Sequence, residues 1–375
     1  MEYRIMQVPS KKDIRFKIYV LYFIWQKGEG MSVKDFLKKK DIVISPRRYG
    51  IDALSQMAQA VFASLLIGLI FKTIGEQGQN LMGEYKIFTY FIELGSFAMK
   101  QVGASIGIAV AWALKAPPLV MFTSAVTGAL GAGIGGEAAA LVSAIVGAEF
   151  GKAVSKETNV DILVTPGVTL FAGGLTATFI GPAVKLLMNG IGLVIMKATE
   201  LHPFFMGMIV SVIVGLVLTS PLSSTALCIM LNLSGISAGA AAVGCCAQMV
   251  GFSATGYRDC KMGGVMAMGL GSSMFQFPNI LKNPWILLPP TLSSIIIAPM
   301  ATCILKTTNT SAGAGMGTCG FVGQIFTFTD MGINARSIIS VTLLHFALPI
   351  CLSLFFDWIL RKKGKIKDGD YYFEL

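Results

Sequence analysis

The composition excludes a water-soluble globular protein. Of 375 residues, 54% are hydrophobic and 13% are charged, whereas an ordinary soluble domain carries roughly 25% charged residues. A chain of this length has too little charge to cover a soluble surface, and its 42 glycines are typical of membrane helices that pack closely. The sequence therefore predicts an all-α, polytopic integral membrane protein.

The net charge of +10 is concentrated near the two ends of the chain. Basic residues that flank the first and last spans mark the cytoplasmic side of a membrane protein, so we expect both termini in the cytoplasm and an even number of crossings. These residues lack the aromatic or motif context of a nucleic-acid site, and we expect no nucleic-acid partner. The basic residues are Lys11, Lys12, Arg15, Lys17, Lys27, Lys34, Lys38, Lys39, Lys40, Arg47, Arg48, Arg361, Lys362, Lys363, Lys365 and Lys367.

The seven cysteines are scattered, mostly within apolar runs. They have neither the spacing of metal ligands nor the pattern of a disulfide framework. We therefore interpret them as small buried hydrophobic residues and expect neither a metal nor a cofactor. They are Cys228, Cys245, Cys246, Cys260, Cys303, Cys319 and Cys351.

The first thirty residues resemble neither a span nor a cleavable leader. Their apolar stretch, 18–25, is too short to cross a bilayer, and no small-residue cleavage site follows it. Codons for Lys27-Gly28-Glu29-Gly30 can contain a purine-rich ribosome-binding sequence just before the codon of Met31. We hypothesise that Met31 is the true start and that 1–30 is a non-native or unstructured extension. Residues 31–48 then predict a cytoplasmic amphipathic helix.

Residues 49–360 predict the transmembrane domain, and 361–375 predict a short cytoplasmic tail. Counting short apolar pieces as half-spans gives about ten crossings. The segment 137–150 is too short to cross unaided and predicts a re-entrant or a tilted helix. Pro166 and Pro182 predict breaks in the long segment 162–188. The predicted segments are 50–74, 87–114, 118–134, 137–150, 162–188, 203–219, 225–233, 238–254, 261–275, 285–305, 321–328 and 338–360.

Acidic residues within these segments are candidate functional groups, because hydrocarbon offers no water to solvate them. Glu137 follows two glycines at a predicted helix start, where the helix dipole favours a carboxylate. It is either an N-terminal acid with a structural role or a ligand-binding or proton-binding group at a discontinuous helix. Glu149 lies twelve residues further on and is either an acid at the water interface or a second ligand-binding or proton-binding carboxylate.

Two other ionisable residues are candidates for a secondary proton or ion site. Glu93 lies seven residues before Lys100 on one helix face. The two residues form a structural ion pair, or each pairs with another helix, or Glu93 belongs to a functional site. His345 lies deep in the last predicted span and is either a hydrogen-bonded structural residue or a ligand.

Polar breaks rich in Gly, Pro and amides suggest a site for an uncharged solute. Irregular backbone at membrane depth is tolerated where it lines a cavity, although close helix packing explains the glycines equally well. The breaks lie at 220–225, 276–284 and 310–324, and with Gln248 they supply hydrogen-bonding groups but few charges. The substrate-binding residues predicted are Glu137, Gln248, Gln276, Asn279 and Gln324.

No set of residues in the sequence predicts catalysis by this chain alone. Sequence motifs of serine hydrolases, zinc proteases, kinases and dithiol redox proteins are absent. The glycines at 310–324 lack the lysine and the preceding strand of a phosphate-binding loop. Any chemistry would therefore need other proteins besides this chain.

Seven segments carry a resemblance to a known family. The chain from Met31 to the last span resembles bacterial membrane proteins classed as IIC-like sugar permease subunits of the phosphotransferase system (PTS), which include perfringolysin-regulator (toxin-regulator) proteins. Residues 1–30 are not part of it. The segments are MSVKDFLKKKDIVISPRRYGIDAL, GAGIGGEAAALVSAIVGAEFGK, VDILVTPGVTL, SPLSSTALCIMLNLSG, GAAAVGCCAQMVGFS, FPNILKNPWILLPPTL and SAGAGMGTCGFVGQ.

The resemblance implies a multi-pass permease in the bacterial cytoplasmic membrane. Such a subunit binds a sugar and presents it to a phosphorylated IIB protein during phosphoenolpyruvate-dependent uptake, and it is commonly a homodimer. We expect the IIA and IIB phosphocarriers to be separate proteins. Two alternatives stay open. One is a membrane sensor or regulator of gene expression, and the other is an ion-coupled secondary transporter that uses Glu137 or Glu93.

Overall fold

The computed structural model describes residues 33–374, in which helices form all the regular structure apart from one isolated bridge between Gly235 and Asn309. The all-α class predicted from composition is thus confirmed. The hypothesis about 1–30 lies outside the described residues.

The chain divides into two units, 1–43 and 44–375. In the first, helix α1 covers Val33–Lys39. Its lysines are exposed while Phe36 and Leu37 are half-buried, which is the two-faced pattern of an amphipathic helix. The helix occupies only part of the predicted range 31–48.

The second unit contains thirteen further α-helical runs in its described part, besides two short 3-10 helices at Ser273–Gln276 and Cys319–Phe321. Several include π-helical turns, and each label is used below for the whole run. The helices are α2 (Arg48–Asn80), α3 (Lys86–Lys100), α4 (Val102–Ala113), α5 (Pro118–Val154), α6 (Asp161–Thr199), α7 (Pro203–Thr219), α8 (Ser224–Met230), α9 (Gly235–Gly271), α10 (Phe277–Lys282), α11 (Pro284–Ile304), α12 (Ser311–Ala314), α13 (Val322–Met331) and α14 (Ala335–Lys362).

The number of spans is lower than the predicted ten. In the described part of the chain, six helices are long and apolar enough to cross a bilayer, and up to seven if α3 and α4, bent by 46° at their junction, count as one. The prediction was wrong because several apolar pieces are single short helices. At 1.5 Å per residue, the seven residues of α8 span well under half of a hydrocarbon core of about 30 Å. The ten residues of α13 span about half of it.

Helix α5 is a hairpin of two antiparallel arms, as the predicted re-entrant segment requires. The regular helix is interrupted at Gly135 and at Gly136, which has φ +74° and ψ −164°. The Ser143 hydroxyl lies 3.0 Å from the carbonyl oxygen of Thr127, although sixteen residues of straight helix would separate them by about 24 Å. The two arms therefore fold back on each other about the glycine pair.

Helix α6 runs without a break through both of its prolines, contrary to the sequence prediction. Its backbone stays helical from Asp161 to Thr199. Pro166 lies in the second turn, where its missing N–H costs the helix one bond, that to the carbonyl oxygen of Ile162. The Ser143 hydroxyl also lies 2.8 Å from the carbonyl oxygen of Gly173, so the second arm of α5 packs directly against α6. Within a packed bundle, neighbouring helices compensate for the bonds that a proline removes.

Helix α9 is the interior helix of the second unit and is also a hairpin. In its most apolar window 83% of the residues are buried. The regular helix is interrupted at Lys261, with φ 52° and ψ −155°. The Ser253 hydroxyl then donates to the carbonyl oxygen of Val265 at 3.1 Å, which requires the second arm, residues 262–271, to return along the first. The predicted boundary between 238–254 and 261–275 coincides with this turn.

Candidate functional site

A cavity of about 280 Å³ lies at the tip of the α5 hairpin. Three elements enclose it: the tip itself, the later half of α6 and the short helix α8. The Gly135 backbone packs against Gly181, so the tip lies near the middle of α6 rather than at its end. The lining residues are Ala132, Gly133, Ile134, Gly135, Gly136, Glu137, Ala138, Lys185, Met188, Asn189, Leu222, Ser223, Ala226, Leu227 and Met230.

Glu137 begins the second arm of α5 and lines this cavity. Because the helix restarts at this residue, its carboxylate lies near the positive end of the arm's dipole. The side chain is half-buried. Among residues 33–374, no side chain or backbone group forms a hydrogen bond or an ion pair with it. The cavity therefore contains an acid whose hydrogen-bonding capacity the described part of the protein leaves unused.

Lys185, Asn189 and Ser223 share the cavity with Glu137, and sequence reasoning did not single them out. Lys185 interrupts the apolar run Ala183-Val184-Lys185-Leu186-Leu187. A lysine inside a predicted span is the signal that would have identified it. Asn189 lies four residues further along α6, one helical turn away.

Glu149 belongs to an ion cluster that joins three helix ends. Lys152 Nζ lies 3.1 Å from its carboxylate, and the Tyr49 hydroxyl donates to it at 3.0 Å. Lys152 and Arg48 both donate to the carbonyl oxygen of Leu114, at 2.8 and 2.7 Å. These bonds connect the start of α2, the end of α4 and the end of α5. The predicted proton or ion role of Glu149 stays a prediction, and its present contacts are structural.

Glu93 is exposed on α3. In the described part of the chain it forms no ion pair with Lys100; the ion pair present in this region joins Lys72 and Glu76, at 3.6 Å. Neither the structural pairing with Lys100 nor a proton role is therefore supported by a contact of Glu93.

Gln248 is fully buried in the first arm of α9. Its Nε2 donates to the Thr291 hydroxyl on α11 at 3.0 Å, while its Oε1 is buried without a hydrogen-bond partner among the described residues. A buried amide oxygen in this state is an available acceptor.

Gln324 and His345 contact each other across α13 and α14. Gln324 Nε2 lies 3.0 Å from His345 Nδ1 and 3.3 Å from Cys246 Sγ. Since an amide N–H donates, the ring nitrogen Nδ1 accepts and Nε2 carries the proton. Both Gln324 Oε1 and His345 Nε2 are buried without a partner among residues 33–374. The two predicted residues form one acceptor–donor pair.

Gln276 and Asn279 are engaged by the C-terminal segment. Gln276 Nε2 donates to the carbonyl oxygen of Tyr371 at 2.8 Å, and Asn279 Nδ2 donates to that of Tyr372 at 2.9 Å. Asn279 Nδ2 also donates to Gln276 Oε1 at 3.0 Å. The amides predicted to bind a solute thus hold the chain itself in this structure, and their role as ligands stays a prediction.

The structure brings the predicted residues together only in pairs. Gln276 contacts Asn279, and Gln324 contacts His345. The cavity at the α5 tip is lined by Glu137 but by none of the other predicted substrate-binding residues.

Comparison with known proteins identifies the family. A family model described as "Phosphotransferase system, EIIC" matches residues 51–373, which include every helix of the second unit except the first three residues of α2. No curated protein and no solved structure matches the chain. The matched region coincides with the apolar helices and the cavity described above. The chain therefore belongs to the EIIC family of the phosphotransferase system, as the sequence motifs indicated, and is a multi-pass membrane permease component.

Proposed function

We propose that the protein binds a neutral polar solute, a sugar or polyol, in the cavity at the α5 tip and translocates it for phosphorylation. In this proposal the phosphoryl group originates from phosphoenolpyruvate and is delivered by separate IIA and IIB proteins. The permease is a homodimer in the bacterial cytoplasmic membrane, with both termini in the cytoplasm. We expect this function to need no cofactor in the permease itself.

The observation that carries the proposal is the Glu137 carboxylate at a broken helix, which has no partner within residues 33–374. Discontinuous helices form substrate sites in membrane transporters because they expose backbone groups and a dipole end inside the bilayer. The carboxylate can accept hydrogen bonds from hydroxyl groups, and Asn189 and Ser223 add neutral donors and acceptors. A volume of about 280 Å³ lies near the lower end of ligand pockets, roughly 300–1,000 Å³, and suits a small solute.

The partnerless Oε1 atoms of Gln248 and Gln324 support these residues as further hydrogen-bonding groups for a solute in transit. Gln276 and Asn279 are proposed in the same role once the C-terminal segment no longer occupies their amides. Glu93, Glu149 and His345 are kept as candidates for a secondary proton or ion site.

Ligand binding by a Glu137→Gln variant tests the site. The purified protein is screened by thermal shift against sugars, polyols and small acids. We expect the upward shift produced by the best sugar or polyol to be lost in Glu137→Gln, because the amide replaces an acceptor by a donor. Glu84→Gln is the matched control, since Glu84 is exposed and lies outside the cavity, and it should keep the shift. An unchanged shift in Glu137→Gln would remove Glu137 from the site.

The coupling is tested separately in vesicles that contain the permease. Phosphorylated sugar that appears only with IIB and already phosphorylated IIA supports the proposal. Unmodified solute whose uptake collapses with the proton or sodium gradient indicates the ion-coupled alternative. Binding without any uptake indicates the sensor alternative. Chemical cross-linking in the same vesicles, with a dimer band expected, tests the homodimer.

A further inference from the structure

The chain turns back after α14 and buries a tyrosine. Helix α14 ends at Lys362, and the turns that follow use Gly364 at φ +67° and Gly369 at φ +90°. Tyr371 is then fully buried, whereas the adjacent Tyr372 is 57% exposed. A solvated charged tail would leave both tyrosines exposed, so this segment is docked rather than free.

The Tyr371 side chain is anchored to the end of α14. Its hydroxyl donates to Asp357 Oδ1 at 2.8 Å, and Arg361 Nε donates to Asp357 Oδ2 at 2.7 Å. Arg361 also reaches forward to Asp368 at 2.7 Å. Burial, followed by the nearby Asp357 carboxylate, raises the pKa of Tyr371 well above its usual range, so the phenol is a stable donor. Both oxygens of the buried Asp357 are thereby paired.

The backbone of the segment is bound by the turn of α9 and by α10. Tyr371 N donates to Asp259 Oδ2 at 3.0 Å, and Cys260 Sγ donates to the Tyr371 carbonyl oxygen at 3.2 Å. Gln276 and Asn279 donate to the carbonyl oxygens of Tyr371 and Tyr372, as described above. Asn283 Nδ2 also donates to Asp370 at 2.7 Å. One short segment thus bonds to the residues on either side of the hairpin arm 262–271.

The residue at the α9 turn adopts a strained conformation. Lys261 has φ 52° and ψ −155°, a region that is almost exclusive to glycine, and such strain persists only where surrounding contacts hold it. The two residues that precede it, Asp259 and Cys260, are the ones bonded to Tyr371. The docked segment therefore supplies contacts that hold the strained turn in place.

The arm that follows this turn reaches the glycine-rich link of 310–324. The Thr318 hydroxyl donates to the carbonyl oxygen of Gly269, and Gln276 Nε2 lies 3.1 Å from Met268 Sδ. Movement of the arm would break the first contact and disturb the second. The C-terminal segment is thus linked through the arm to the loop that precedes Gln324.

We propose that residues 364–374 act as a latch that holds the Lys261 turn and the arm 262–271 of α9 in their present position, and that undocking of this segment releases the arm. The proposal goes beyond solute binding at the α5 tip and does not depend on it, because none of the latch residues lines that cavity.

Labelling of Cys260 by a maleimide tests the latch, because the Cys260 thiol bonds to the segment directly. The intact protein is compared in detergent with a chain ended after Lys363, and labelling is read for each cysteine by peptide mass spectrometry. We expect Cys260 to be labelled about tenfold faster in the shortened chain, since several modest hydrogen bonds are lost together. Cys245 and Cys246, both fully buried, report on the integrity of the fold and should stay unlabelled.

Point variants keep the test decisive if the shortened chain does not fold. Tyr371→Phe removes the hydroxyl contacts with Asp357 and Thr255. Asn283→Ala removes two contacts to Lys365 and Asp370, together with the cap on Trp285 N. Each should speed labelling of Cys260 by a smaller factor. Tyr372→Phe is the matched control and should leave the rate unchanged.

Hydrogen exchange of the intact protein gives a second measurement. Backbone amides of 262–271 should exchange at the same rate as those of 364–374. Exchange of both segments should be faster in Tyr371→Phe, while the amides of 238–250 stay protected. Equal labelling of Cys260 in intact and altered chains would overturn the latch. Labelling of Cys245 and Cys246 in parallel with Cys260 would also overturn it, because the segment would then stabilise the whole fold rather than one arm.

Discussion

The two helical hairpins differ in what contacts their tips. The α5 tip is a pair of glycines beside a cavity, and the acid that follows it has no partner among the described residues. The α9 tip is a strained lysine, and the C-terminal segment bonds to the two residues before it. One tip leaves polar capacity available for a ligand, and the other is occupied by the chain itself. In our proposals, similar topology therefore serves binding in one place and restraint in the other.

The largest effect is expected when the buried Tyr371 side chain, which lies beside the α9 tip, is removed. Tyr371→Ala removes a fully buried aromatic ring and leaves Asp357 without one of its donors. We expect the free energy of unfolding to fall by about 3–5 kcal/mol, as for other buried aromatic residues replaced by alanine. Denaturant unfolding in detergent measures it. Tyr372→Ala is the control, and an equal loss in that exposed variant would contradict the docked arrangement.

A smaller effect is expected at the glycine tip. Gly136→Ala places a side chain at φ +74° and ψ −164°, where non-glycine residues are strained by about 1–3 kcal/mol. We expect a loss of stability of that size in the same unfolding measurement.

Gly133→Ala is the matched control for this substitution, because an added Cβ there meets no atom within 4 Å and the backbone is helical. It should be neutral or slightly stabilising, as alanine favours a helix over glycine. Identical behaviour of the two alanine variants would show that the hairpin turn does not need glycine.

The smallest effect is expected at the strained α9 tip, where a non-glycine residue is replaced by glycine. Lys261→Gly relieves the backbone strain but adds flexibility to the unfolded chain, which typically opposes it by roughly 0.5–1 kcal/mol. We expect a net gain of about 1 kcal/mol, given strain of about 1–3 kcal/mol, measured as a higher unfolding midpoint. A loss of stability in this variant would mean that the Lys261 side chain, rather than its backbone, stabilises the turn.

Local chemistry made some features predictable from the sequence. The glycine pair at 135–136 and the break at Ser220-Pro221 coincide with ends of regular helix. The prolines of α6 misled the prediction, because whether a proline breaks a helix depends on the neighbours that pack around it. The count of ten spans failed for a related reason: short apolar helices inside a bundle have the composition of membrane spans without their length.

The site was predictable only in part. Glu137 could be singled out because the two glycines before it in the sequence indicate a helix start. Its cavity partners Lys185 and Ser223 lie 48 and 86 positions further along, and no local pattern connects them. The docking of Tyr371 was not foreseen because its partners, Asp259 and Gln276, are about a hundred residues away and the segment itself is charged and short.

The Ser143 hydroxyl, which faces carbonyl oxygens of both Thr127 and Gly173, has a consequence for biogenesis. The second arm of α5 rests against α6 along its length, with Gly147 and Gly151 close to Thr169 and Gly135 close to Gly181. The ribosome delivers α6 after this arm. We therefore expect the second arm to stay near the membrane surface or the insertion machinery until α6 has been synthesised. The time at which the hairpin enters the bilayer then depends on the order of synthesis as well as on hydrophobicity.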